Sequence, residues 1–137
     1  MKIYFAGSIC GGRQKVEDYQ KIVDEFEKNG HTVLTKHVAD PNITIEGSNI
    51  ADKDIYVRDT KWLEECDIVF ADVTVPSLGV GYEIAYAEKL NKKIYIAYEK
   101  NKTISRLITG DYNLEFIPYT NLDEVLIKVN SICKNKR

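Results

Sequence analysis

The chain has 137 residues, 44% of them hydrophobic and 29% charged, with a net charge of -2 at pH 7. That length suits one domain spanning residues 1–137, able to bury about 68% of its unfolded surface without disulfide or metal staples. The slight acidity argues against a polyanion-binding surface, and so against a nucleic-acid polymer as partner, but not against one bound phosphate.

Residues 2–6 form a short apolar run rich in strand formers, closed by Gly7-Ser8, and are expected as the first strand. Residues 14–29 carry Val16, Tyr19, Ile22, Val23 and Phe26 at helical spacing, with Asn29-Gly30 as the stop. Residues 31–36 read as a second strand, and 38–50 as a polar, mobile loop. Residues 51–66 read as a helix with Ile55, Arg58, Asp59 and Trp62 along one side, Trp62 being most simply core. Residues 67–73 are almost continuously apolar, as a buried parallel strand should be. A loop at 74–79 leads into a helix from about 80 to 91. Residues 93–98 form a fourth strand, 103–109 a short helix, 114–119 a fifth strand and 121–134 the last helix. Strands alternating with helices predict a single-domain α/β fold: a doubly wound, flavodoxin-like sheet of about five parallel strands with helices on both faces. Ligands of such sheets bind beyond the carboxyl ends of the strands.

No apolar run approaches the roughly 20 residues that cross a bilayer, and residues 1–7 are too short for a signal-peptide core. The three cysteines, Cys10, Cys66 and Cys133, are widely spaced and form neither a CxxC motif nor a metal-ligand cluster. A cytoplasmic protein with no membrane partner is expected.

The predicted strand ends hold several groups with chemistry. Glu83 follows a glycine-bearing stretch and is expected in the first turn of its helix, where an ionised carboxylate is favoured by about 0.3–1 kcal/mol. Such a group can act as a nucleophile, or can merely complement the helix dipole. Asp59 either pairs with a neighbouring cation or, facing the site, moves the proton while Glu83 attacks. Retaining glycosidases hold two such carboxyls about 5–5.5 Å apart. The loop Gly7-Ser8-Ile9-Cys10-Gly11-Gly12-Arg13 offers backbone N–H groups and a hydroxyl to a phosphate, or is a plain tight connection. It matches neither a P-loop nor a dinucleotide fingerprint. His37 and Tyr4 each have an ordinary structural reading beside a functional one.

Together, Tyr4-Phe5-Ala6-Gly7-Ser8-Ile9, Gly11-Gly12-Arg13, Thr35-Lys36-His37-Val38-Ala39-Asp40, Asp59 with Trp62-Leu63, Asp67-Ile68-Val69 and Val73-Thr74-Val75-Pro76-Ser77-Leu78-Gly79-Val80-Gly81-Tyr82-Glu83 resemble the 2'-deoxynucleoside 5'-phosphate N-hydrolases, within the nucleoside 2-deoxyribosyltransferase superfamily. The resemblance runs from the first strand to the last helix. It implies a homodimer with composite active sites, no metal or organic cofactor, and a small-molecule nucleotide substrate. It implies Glu83 as nucleophile on the anomeric carbon, giving a covalent sugar-phosphate enzyme that water resolves. Tyr4 would orient Glu83, and Asp59 would handle the proton. Ser8, Gly11, Gly12, Arg13, Ser77 and Gly79 would surround the 5'-phosphate, joined by Ser105 from the other subunit. His37 would lie near the base.

Relatives acting on unphosphorylated nucleosides place Asp at the position of Ser77. A carboxylate repels a phosphate and a serine hydroxyl donates to it, so Ser77 and Ser105 favour a monophosphate. The chain departs from the hydrolases at Cys10, where they usually carry Arg, a charge-assisted phosphate ligand. That departure bears on substrate class, with Arg13 as the alternative cation. Two other functions share much of this pattern: a deoxyribosyltransferase that exchanges bases, and a nucleotide-binding module without turnover.

Overall fold

A computed structural model of the chain describes residues 1–9, 15–42 and 49–135. In chain order the elements are β1 (Lys2–Ala6), α1 (Val16–Lys28), β2 (Thr32–Val33), a 3₁₀ turn (Lys36–Ala39), α2 (Asp52–Glu65), β3 (Ile68–Asp72), α3 (Leu78–Lys89), β4 (Lys93–Glu99), α4 (Arg106–Thr109), β5 (Glu115–Tyr119) and α5 (Leu122–Asn135). The five strands form one all-parallel sheet in the order β2-β1-β3-β4-β5, the doubly wound arrangement expected.

The alternation of side chains along each strand divides the core in two. Ile3 and Phe5, Ile68 and Phe70, and Tyr95 and Ala97 face α1 and α5, packing on Tyr19, Ile22, Phe26, Val125 and Val129. Tyr4 and Ala6, Val69 and Ala71, and Ile94 and Ile96 face the other way, onto Leu63 of α2 and Val80, Ile84 and Ala87 of α3. The first face is bound by aromatic edges: Phe5 meets Tyr19 with ring centroids 5.4 Å apart, and Phe26 meets Phe70 at 5.5 Å. Gly7 is required there, because a Cβ at that position would stand 2.8 Å from the Tyr19 ring.

Three expectations need correction. The second strand was expected over 31–36 and is only two residues long. Leu34 still donates its N–H to the Ile3 carbonyl (2.9 Å), but at Thr35 a side chain replaces the backbone. The Thr35 hydroxyl accepts from Phe5 N–H (2.8 Å) and donates to Phe5 C=O (2.6 Å), ending the ladder. The chain then turns into the 3₁₀ segment, so His37 stands on that turn rather than on a strand. Val38 and Ala39, read as the start of a mobile loop, are buried in the same turn; residues 43–48 of that loop lie outside the described residues. Third, α3 begins two residues early. Ser77 caps it by accepting from Val80 N–H (3.3 Å).

Among the described residues no helix is long and apolar enough to cross a membrane.

Candidate active site

The sheet order reverses direction between β1 and β3, and a cleft of about 640 Å³ opens at the carboxyl ends of these strands. Its lining includes Tyr4 from β1, His37 from the 3₁₀ turn and Asp59 from α2. Ser77, Gly79, Gly81 and Glu83 come from the β3–α3 segment and α3, and Ser105 from the approach to α4. Seven of the expected site residues are thus brought to one cavity: Tyr4, His37, Asp59, Ser77, Gly79, Glu83 and Ser105.

The Tyr4 hydroxyl donates to Glu83 Oε2 across 79 residues of sequence. Tyr4 is fully buried on the α3 face of the sheet, so its ring is clamped and its hydroxyl has little freedom. With α3 starting at Leu78, Glu83 falls in the second turn, not the first. The dipole fades within the first turn, so the Tyr4 hydroxyl polarises Glu83 more directly than the helix end does.

Asp59 is 9% exposed and accepts from Arg58 Nε at Oδ1 (2.8 Å). Arg58 does more than its place in the sequence indicates. Its second arm lies 3.3 Å from His37 Nε2, and its guanidinium stands 5.0 Å over the Trp62 ring. His37 in turn lies against Trp62, with centroids 5.8 Å apart. Trp62, expected as plain core, is half-buried and forms the floor of this stack. The i,i+4 spacing of Arg58 and Trp62 was the available signal.

The two glycines of α3 are not required by internal packing. No protein atom lies within 4 Å of where a Gly81 Cβ would stand, and the nearest to a Gly79 Cβ is Ser77 Oγ at 3.8 Å. Both face the cleft.

Ser8 does not join the set. It is fully buried, the lining on either side of it being Gly7 and Ile9, and its N–H donates to the Tyr19 hydroxyl (3.2 Å). Ser105, expected to reach a neighbouring subunit's site, lines the cleft of its own chain and is exposed. Gly11, Gly12 and Arg13, with Cys10, lie outside the described residues. Cys66 is buried among apolar groups, which pushes its thiol up to about 11 and keeps it from acting as a thiolate.

Sequence reasoning also missed a polar network behind the β3–α3 segment. Tyr119 donates to Asp72 Oδ2 (2.7 Å), and Asp72 Oδ1 accepts from Thr74 N–H (2.9 Å). The Thr74 hydroxyl stands 3.3 Å from that of Tyr119 and accepts from Glu99 N–H (3.1 Å). Lys15 bonds Glu99 (2.7 Å) and Asp18 (3.0 Å) and lies 5.0 Å over the Tyr119 ring. Burial pushes the Asp72 carboxyl up, against the pull of its Tyr119 and Thr74 hydrogen bonds. Burial opposes the charge on Lys15, but Glu99, Tyr119, Asp18 and the field of Asp72 together raise its ammonium well above the ordinary value. The signal was a lone Asp closing an otherwise apolar strand.

The chain is similar to several known proteins. A 5-hydroxymethyl-dUMP N-hydrolase from Danio rerio is 44% identical over 113 residues, covering 80% of this chain and 78% of that protein. A relative from Thermofilum pendens, named provisionally as 2'-deoxynucleoside 5'-phosphate N-hydrolase 1, is 35% identical over 136 residues, covering 96% of this chain and 94% of its own. In fold, the chain is similar to the CMP N-glycosidase BcmB of Clostridium botulinum, with a TM-score of 0.74 at 21% identity over 96% of this chain and 99% of the other. The family model described as nucleoside 2-deoxyribosyltransferase matches residues 3–130, and the chain belongs to that family.

Proposed function

We propose that this protein hydrolyses the N-glycosidic bond of 2'-deoxynucleoside 5'-monophosphates, releasing the free base and deoxyribose 5-phosphate. The observation that carries the reading is the Tyr4–Glu83 pair set in a cleft that Asp59, Ser77 and Ser105 also line. The relatives named as N-hydrolases of deoxynucleoside monophosphates support the substrate class.

In this reading Glu83 attacks the anomeric carbon as the C–N bond to the base breaks, and Asp59 delivers the proton that the departing base needs. The sugar phosphate is then an ester of Glu83. Water attacks the same carbon, gives its proton to Asp59, and frees the Glu83 carboxylate. Tyr4 orients Glu83 for both attacks. Ser77 and Ser105 donate to the 5'-phosphate, with the backbone at Gly79 close by. His37, held by Arg58 and Trp62, faces the base.

The protein is further assigned to the cytoplasm, as one domain over residues 1–137 acting as a homodimer. Its buried thiols Cys66 and Cys133 suit a reducing compartment. Tyr56 and Val57 on α2, with Leu78 and Tyr82 on α3, are more than half exposed, and Leu78 also lines the cleft. Pairing through α2 and α3 would cover this apolar surface at the margin of the site.

The test is to incubate the protein with each common deoxynucleoside, its 5'-monophosphate and the matching ribonucleotide, with and without a second free base. Free base is followed by chromatography, with Glu83→Ala beside each. Base release from deoxynucleoside monophosphates, lost in the variant, is expected. A new nucleoside or nucleotide in the two-base samples would identify a transferase. Tight nucleotide binding with no turnover would identify a binding module.

A further inference from the structure

The Lys15–Asp72–Tyr119 network has no place in the reaction above, and it is costly. Lys15, Asp72, Thr74 and Tyr119 are all buried, Asp72 completely. Buried charged networks are commonly no more stabilising than well-packed apolar side chains of the same volume. Cohesion alone therefore does not account for it.

Its position does. Its bonds to Asp72 and Thr74 converge where β3 passes into α3. The carbonyl of Ala97 holds Val73 N–H (2.9 Å), Asp72 holds Thr74 N–H, and Glu99 N–H holds the Thr74 hydroxyl. Only Val75 and Pro76 separate Thr74 from Ser77, and proline stiffens that short span. Ser77 in turn caps the helix that carries Glu83. Thr74, three residues before Ser77, is thus tied directly to β4 and β5, and through Glu99 to Lys15 at the start of α1.

We propose that the Lys15–Asp72–Tyr119 network is a positioning device, fixing the β3–α3 segment so that the Ser77 hydroxyl stands where the substrate's 5'-phosphate arrives. The proposal rests on the monophosphate reading for its kinetic consequence, and on the hydrogen-bond pattern for its structural one. None of the three residues touches substrate. Their effect passes through Ser77.

Tyr119→Phe is the probe, since it removes one hydroxyl and keeps the ring under Lys15. Ile132→Val is the control. Ile132 is buried on the same side of the sheet, but α5 runs back from the end of β5 and carries it away from the cleft. For each variant, KM and kcat on a deoxynucleoside monophosphate are measured with Tm. Amide exchange of residues 73–80 is followed in parallel. Tyr119→Phe is expected to raise KM roughly tenfold and to change kcat far less, the loss of one well-placed hydrogen bond to a charged group. Exchange at Val73, Thr74, Val75 and Ser77 should quicken, and Ile132→Val should do neither at a comparable loss in Tm. An unchanged KM with unchanged exchange, or equal changes in Ile132→Val, would overturn the proposal and leave a network that serves packing alone. Should the wild type turn over no monophosphate, the functional reading falls, and the exchange result still decides the network.

Discussion

Two tyrosine–carboxylate pairs bracket β3. In one, Tyr4 of β1 donates to Glu83, which lines the cleft and is half-buried. In the other, Tyr119 of β5 donates to Asp72, which is sealed from solvent and holds Thr74 N–H with its second oxygen. The chemistry of the two contacts is the same, but the surroundings differ. Glu83 faces an open cavity across which a substrate can approach. Asp72 faces the backbone of its own chain. A carboxylate becomes a candidate nucleophile through access as much as through its partner, and a buried one becomes an anchor.

The sharpest way to break this comparison is to neutralise each carboxylate in turn. Glu83→Gln should lower base release by about 10⁴-fold or more with Tm nearly unchanged, as measured by initial rates and thermal melting. If Glu83→Gln keeps most of its activity, the open pair is not the reacting one. Tyr4→Phe should cost less, about 10- to 100-fold in kcat/KM, because one hydrogen bond to a charged group is lost while the carboxylate stays.

The sealed pair should answer through stability. Lys15→Met should lower unfolding free energy by about 2 kcal/mol in denaturant titration. The pH dependence sharpens this. Lys15 holds its proton more tightly folded than unfolded, so its contribution is complete below its ordinary value of 10.5. It is lost as pH rises above that point, where the unfolded chain deprotonates first. Tyr119, also raised by burial and by Asp72, acts in the same direction. Wild-type stability should therefore fall between about pH 10 and 12, and the slope should flatten in Lys15→Met. The smallest effect is expected at Gly81. Gly81→Ala meets no protein atom, so helix propensity should stabilise the fold by up to about 1 kcal/mol, while a substrate pressed against that face would bind less well. A rise in Tm with unchanged KM would show that nothing approaches there.

The fold was largely legible because strand and helix periods were clean. β1 matches its expected bounds of 2–6, and every other expected element is present within a few residues, β2 excepted. The failure at β2 has a physical cause: Thr35 looks like a strand residue and uses its hydroxyl to end the strand. The cleft was legible mainly through the resemblance carried by residues 73–83, since Glu83 and Asp59 each had an ordinary alternative. What stayed hidden was contact between distant residues. Nothing in local spacing reveals that Arg58 would span Asp59 and His37, or that Lys15, Asp72 and Tyr119 would meet. Nor does local spacing reveal that the Ser8 N–H, in a suggestive loop, would be committed to the Tyr19 hydroxyl.

The way Thr35 closes β1 has a consequence for association. Open sheet edges are templates for pairing with another chain. Here β2 offers two residues, and beyond it the outward backbone of Phe5 is already occupied by a side chain. At the opposite edge, the Tyr119 carbonyl turns inward to Lys100 N–H, so alternation turns Pro118 outward, with no N–H to offer. Both margins are poor starting points for a growing sheet, amyloid or otherwise. A second copy arriving at either margin would find few free backbone groups to pair with.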